Sequence, residues 1–165
     1  MRRRRQSRET RLTDPAIAAT RAAVVAEARS WIGTPYHVGA DIKGSGVDCA
    51  MILVRVFCDL GLVEPFDPRP YSNDWHLHRS EEVYLRLLLE RAHEVTQSEA
   101  APGDVVLFRY GRCFSHGGIV TRAEPFTMIH AFASARIVLE EQVSRNATVA
   151  RRLPEARFAS YWARI

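Results

Sequence analysis

The chain has 165 residues, 47% of them hydrophobic and 25% charged, with a formal net charge of +4. Those totals are ordinary for one soluble globular domain with a sizeable core. They exclude a membrane-spanning helix, because no run approaches the roughly 18 consecutive apolar residues such a span needs.

In chain order, the first feature is a basic arm. Residues 1–11 carry Arg2, Arg3, Arg4, Arg5, Arg8 and Arg11 against Glu9, a net of +5 that leaves the rest of the chain at −1. Such a block reads as a solvated tail or as an arm for an anionic partner. With the body nearly neutral, no nucleic-acid partner is expected. "MRRRRQSRET" lacks the apolar core of a Sec signal peptide, and charge interrupts "PAIAATRAAVVAEA" too often for a twin-arginine signal. The expected division is a flexible or partner-bound arm over 1–13 and one domain over 14–165. Only Lys43 among 23 basic residues is lysine, a bias with no physical account.

Asp14-Pro15 predicts a helix start. Ile17, Val24, Val25, Ala28 and Ile32 then fall at helical spacing, and Gly33 and Pro35 end the run. "GTPYHVGADIKGSG" reads as a loop. A second helix is predicted from about Asp48 to Leu60, with Ile52, Leu53, Val56, Phe57 and Leu60 as one stripe and Gly61 as its stop. The proline-rich "EPFDPRPYSND" reads as an ordered loop. Ser80, Glu81 and Glu82 open a third helix running to about His93. After the "APGD" turn come β-rich runs, "VVLFRY", "GGIVTR", "TMIHAF" and "RIVLEE", and the C-terminal "ARFASYWARI" predicts a last strand. Helices followed by a meander of about five to six strands give an α+β fold, with N-terminal helices packed on an antiparallel sheet.

Three cysteines, Cys49, Cys58 and Cys113, cannot close a disulfide framework and fit a reducing compartment. Cys49 follows a glycine-rich loop at the start of a predicted helix, where the dipole and unpaired N–H groups favour a thiolate. The alternative is a buried structural cysteine. A nucleophile needs a base and an orienting group. His116 opens "HGGIVT" and His130 sits in "MIHAF". Both are even-numbered, so a hairpin loop of odd length between them would put both rings on one sheet face, nearly opposite each other. Taken alone, His130 between Met128, Ile129 and Phe132 reads as a core histidine. His76-x-His78 and Cys113-x-x-His116 lack the partners of a metal site, so no metal and no cofactor is expected. Trp31, Trp75 and Trp162 read as core or interface anchors.

"EARSWIGTPYHVGADIKGSGVDCAMILVRVF", "APGDVVLF", "SHGGIV" and "IHA" together resemble, in order, the blocks of the NlpC-type cell-wall peptidases, which are papain-like cysteine peptidases. The resemblance runs over roughly residues 16–140. It implies a papain-like fold, Cys49 as nucleophile, His116 as base and His130 as the orienting third residue. It also implies that Tyr36, Asp48 and Ala50 line the substrate site, and that the substrate is an amide bond of peptidoglycan stem peptides. "RPYSNDWHLHRSEEVYLRLL" is similar to the branch found in phage tails. That implies synthesis in the bacterial cytoplasm, residence in a phage or phage-like tail with tail proteins as partners, and action at the cell wall. One position departs from the family pattern. Ala50-Met51 stands where Ser-Gly is usual, and the family's serine helps hold the amine end of certain stem peptides. Two other readings stay open: a tail-tip adaptor with weak or lost activity, and another amidase or acyltransferase using the same thiol–imidazole pair.

Overall fold

A computed structural model describes residues 15–71 and 82–162. The arginine arm, the Asp14 cap, Trp75, His76, His78, and the Ser80 and Glu81 helix opening lie outside the described residues. Much of the stretch with phage-branch similarity lies outside them too.

Helix α1 spans Pro15–Arg29. It is followed by a small hairpin, β1 (Asp41–Ile42) and β2 (Gly46–Val47), and by α2 (Met51–Asp59) and α3 (Val83–Leu89). The strands β3 (His93–Val95), β4 (Val105–Tyr110), β5 (Cys113–Arg122), β6 (Thr127–Phe132), β7 (Ile137–Gln142) and β8 (Arg157–Ser160) form one sheet. Its order is β3-β8-β4-β5-β6-β7, with every pairing antiparallel. A short helix α4 (Ala147–Ala150) precedes β8. This is the expected α+β, papain-like arrangement. No described helix is long and apolar enough to cross a membrane.

Alternation along β4 explains the two layers. Val105 and Leu107 face the helices, packing with Val24, Trp31, Ile52, Val56 and Phe57. Val106 and Phe108 face the other way, toward Met128, Val149 and Phe158. A strand buried on both faces loses the polar alternation of a surface strand.

Three boundaries differ from the sequence expectation. Helix α2 begins at Met51, because Asp48 caps it rather than entering it. Helix α3 ends at Leu89, and His93 opens β3, which pairs with β8. Helical leucine spacing had no local stop signal there, and long-range pairing decides the boundary. The glycine-rich loop contains the β1–β2 hairpin, which no alternation announced. Ile32 lies past the end of α1 and is exposed.

Two ties fix the helical layer to the sheet. The Arg21 guanidinium donates to Asp104 Oδ1 at 2.8 Å and stacks over the Trp162 ring. Arg29 forms a two-pronged pair with Glu140 on β7, at 2.9 and 3.0 Å. Strand β7 is an edge, and the loop at 33–36 runs along it. Gly33 N donates to Val138 O at 3.0 Å, Val138 N to Thr34 O at 2.9 Å, and Tyr36 N to Arg136 O at 2.9 Å.

Candidate active site

Asp48 sets the position of Cys49. Its carboxylate is buried, with 2% exposure. Oδ1 accepts from Ala50 N at 3.1 Å and Met51 N at 2.8 Å, satisfying two orphan donors at the start of α2. Oδ2 accepts from Gly39 N at 2.6 Å and from Tyr71 OH at 2.7 Å. These four bonds fill the acceptor capacity of a carboxylate. Tyr84 OH donates to the Cys49 carbonyl at 2.7 Å. Cys49 is thus gripped through its neighbours and its own backbone, while its thiol stays half-buried in a cleft.

That thiol donates to Ser115 O at 3.5 Å, which places it against β5 one residue before His116. Close approach of the helices to β5 depends on Gly117. A Cβ there would collide with Tyr84 Oη and lie 2.9 Å from Leu53 Cδ1.

Phe108 pairs with His116 across β4 and β5, so the two side chains share a face. Ile119 pairs with Ile129 and Val120 with Met128. The same register sets His130 across from Gly118, whose added Cβ would lie 3.4 Å from His130 Cβ. The two histidines therefore occupy one face, but as diagonal rather than opposite neighbours. The loop between Arg122 and Thr127 is even in length, so a bulge between Val120 and Arg122 restores the parity. The missing side chain at Gly118 leaves room for their contact. His116 Nε2 and His130 Nδ1 are 2.7 Å apart. His130 is fully buried.

The chain of contacts continues to a residue the sequence did not single out. His130 Nε2 lies 2.8 Å from Glu141 Oε1 on β7. Asn146 Nδ2 donates to the same oxygen at 2.7 Å, while its own Oδ1 caps α4. "RIVLEE" alone reads as an acidic edge strand; only its register with β6, where Met128 pairs with Glu141, reveals the contact.

The electrostatics follow from burial. Loss of water pushes the Cys49 thiol up, to about 12, and the Asp48 charge adds to this. Backbone N–H groups of Gly117, Cys49 and Ala50 act in the opposite sense, favouring the thiolate. Burial, with smaller contributions from His130 and Arg152, holds the His116 imidazole well below its ordinary value. The hydrogen bond from His130, helped by Asn146, lowers Glu141 and keeps it a carboxylate. Both shifts favour the uncharged forms, a thiol and a neutral imidazole.

A cleft of about 690 Å³ joins these parts. Tyr36, Asp48, Cys49, Ala50 and His116 all contribute to its wall. His130 and Glu141 stand behind His116, out of the cleft. Tyr71 and Tyr84, unremarked in the sequence, also line it.

A profile of the NlpC/P60 family matches residues 33–157. A search of curated proteins returned no match. Among solved structures, the chain is similar to the NlpC/p60 domain of the peptidoglycan hydrolase SagA, at 24% identity and a TM-score of 0.57 over 84% of this chain and 96% of that one. It is also similar to the peptidoglycan hydrolase RipB from Mycobacterium tuberculosis, at 20% identity and TM-score 0.56 over 90% of this chain and 68% of that one. An NlpC/P60 family protein from Bacillus cereus aligns at 17% identity and TM-score 0.61, and there the match covers 86% of this chain but only 40% of the other. At these identities the structural likeness speaks to the fold. The profile match spans the Cys49 loop, both histidines and Glu141, and this chain belongs to the NlpC/P60 family.

Proposed function

We propose that the protein is a cysteine peptidase that hydrolyses amide bonds in peptidoglycan stem peptides, in the tail of a phage or phage-like particle acting at the cell wall. One observation carries the hydrolase reading: the Cys49 thiol and the His116 ring share a cleft wall, and the fully buried His130, itself paired with Glu141, backs that ring. A tail adaptor has no use for such a pair. Family membership and the likeness to two peptidoglycan hydrolases support the substrate class. The sequence similarity over 69–88 supports the tail, with the basic arm as a contact to other tail proteins.

In this reading His116 takes the Cys49 proton as the sulfur attacks the amide carbonyl. The Cys49 N–H, at the start of α2 beside the reacting sulfur, stabilises the oxyanion. His116 then protonates the leaving amine, and water releases the acyl group. His130 holds His116 in orientation, the task an Asn or Asp performs elsewhere.

The test is mass spectrometry of peptidoglycan fragments after incubation with the wild type and with Cys49→Ala. New fragments from the wild type alone support the peptidase. Equal cleavage by both proteins sinks it, and cleavage by neither favours the adaptor.

A further inference from the structure

The cleft that starts at Cys49 continues along α2. Ala50, Leu53, Val54, Phe57 and Cys58 line it, the i, i+3, i+4, i+7, i+8 face of one helix. From Cys49 to Cys58 that face runs about 13 Å at 1.5 Å per residue. Leu87 and Leu88 of α3 also line it. Arg91 lies beyond them, and its guanidinium is already engaged. It stacks at 3.7 Å on the Phe66 ring and donates to Leu87 O at 2.8 Å.

The polar end is equally committed. All four acceptor positions of Asp48 are taken by Gly39, Ala50, Met51 and Tyr71. Ala50 has no side-chain acceptor. Neither Asp48 nor Ala50 therefore offers a free side-chain acceptor to an ammonium group. Along α2 a substrate would meet methyl, methylene and ring carbon and, at the far end, the Cys58 side chain. Each peptide or charged group buried there without a partner costs about 1–3 kcal/mol. Each buried methylene gains about 0.8 kcal/mol.

We propose that this cleft holds the apolar acyl group of an ester or amide, laid along α2 from Cys49 toward Arg91, and that it disfavours an acyl group carrying an ammonium. This rests on Cys49 as the nucleophile, as proposed above, and not on peptidoglycan as the substrate. The Sγ–C bond forms as the thiol proton passes to His116. The C–O or C–N bond breaks, and the proton goes to the leaving oxygen or nitrogen. Water then cleaves the thioester, giving a carboxylic acid and the restored thiol.

The experiment measures kcat/KM for p-nitrophenyl esters from acetate to decanoate, and for octanoate against 8-aminooctanoate. The expected result is a rise of about fourfold per methylene over the first several carbons, from the transfer value above, followed by a plateau when the cleft is full. The terminal ammonium lowers the octanoate value at least tenfold. Leu87→Trp, which fills the cleft, reduces decanoate turnover at least tenfold more than acetate turnover. A flat or falling series, inactivity on every ester, or the same trend in Cys49→Ala overturns the proposal. Peptidoglycan fragments assayed in parallel keep the two readings apart. Fragment cleavage with a flat ester series sinks the acyl cleft and keeps the peptidase. A rising ester series with intact fragments supports the acyl cleft and sinks the peptidoglycan substrate.

Discussion

Nε2 of His130 and Oε1 of Glu141 lie 2.8 Å apart, and this contact decides where two protons sit. A carboxylate accepts, so Nε2 of His130 carries the hydrogen. With that single ring proton on His130, its Nδ1 is the acceptor for Nε2–H of His116, 2.7 Å away. That leaves Nδ1 of His116 with a lone pair, the form a general base needs. These tautomers are assigned from the hydrogen-bond partners. Replacing Glu141 by Leu removes the acceptor that starts the series, and kcat is expected to fall about a hundredfold with KM within about twofold. Glu141→Gln can present an amide oxygen in the same place and restores most of the rate. A KM rise with unchanged kcat, or equal loss in both variants, would contradict the positioning role.

The shifts toward an uncharged thiol and imidazole predict a particular pH response. Burial lowers His116, so the imidazole stays an unprotonated base to lower pH than an ordinary histidine. The acid limb of kcat/KM is therefore expected below pH 6.5, not at it. Burial raises the Cys49 thiol to about 12, so its alkylation by iodoacetamide should climb steadily from pH 6 to 9. A rate plateau already reached at pH 5 would reveal a preformed thiolate–imidazolium pair instead.

Gly117→Ala places a methyl group against Tyr84 Oη and Leu53 Cδ1. The expected cost is about 1–3 kcal/mol, read as a lower urea midpoint with an unchanged m-value. Tyr84→Phe removes one clashing atom, so the double variant should be less destabilised than the sum of the singles. Additive effects would mean that Tyr84 does not set the limit at Gly117.

Arg21→Ala strands Asp104, whose side chain is 1% exposed. The expected loss is about 3 kcal/mol by chemical denaturation. Burial already raises Asp104 above its ordinary value, and removal of Arg21 takes away an opposing influence. A raised carboxylate favours folding when protonated, so the deficit should shrink as pH falls from 7 toward 5. A deficit that is constant over that range would point to lost packing on Trp162 rather than a stranded charge.

The sequence made the candidate site's cysteine and two histidines legible because each carries a local signature. Cys49 follows a glycine-rich loop before an apolar stripe, and His116 and His130 lie in adjacent β-rich runs, although the bulge that puts both rings on one face was not legible. Glu141 has no such signature. Its role depends on the exact pairing of β6 with β7, which acidic residues in an edge strand do not disclose. The filled acceptors of Asp48 were hidden for the same reason. Gly39 and Tyr71, which occupy Oδ2, lie nine and 23 residues away in loops. The end of α2 was legible where Gly61 marked it; α1 stops at Arg29, short of Gly33, and α3 at Leu89, where pairing with β8 overrides leucine spacing.

The loop at 33–36 lies along β7, and its backbone bonds occupy an edge that would otherwise offer free N–H and C=O groups to another chain. At the opposite edge is β3, three residues long. Neither edge is a good template for strand addition, so this sheet resists edge-to-edge stacking when the protein is concentrated. The same bonds tie the segment carrying Tyr36 to the strand carrying Glu141. A mutation that frays β7 would therefore loosen one cleft wall and the support of both histidines together, and expose a sticky edge while doing so.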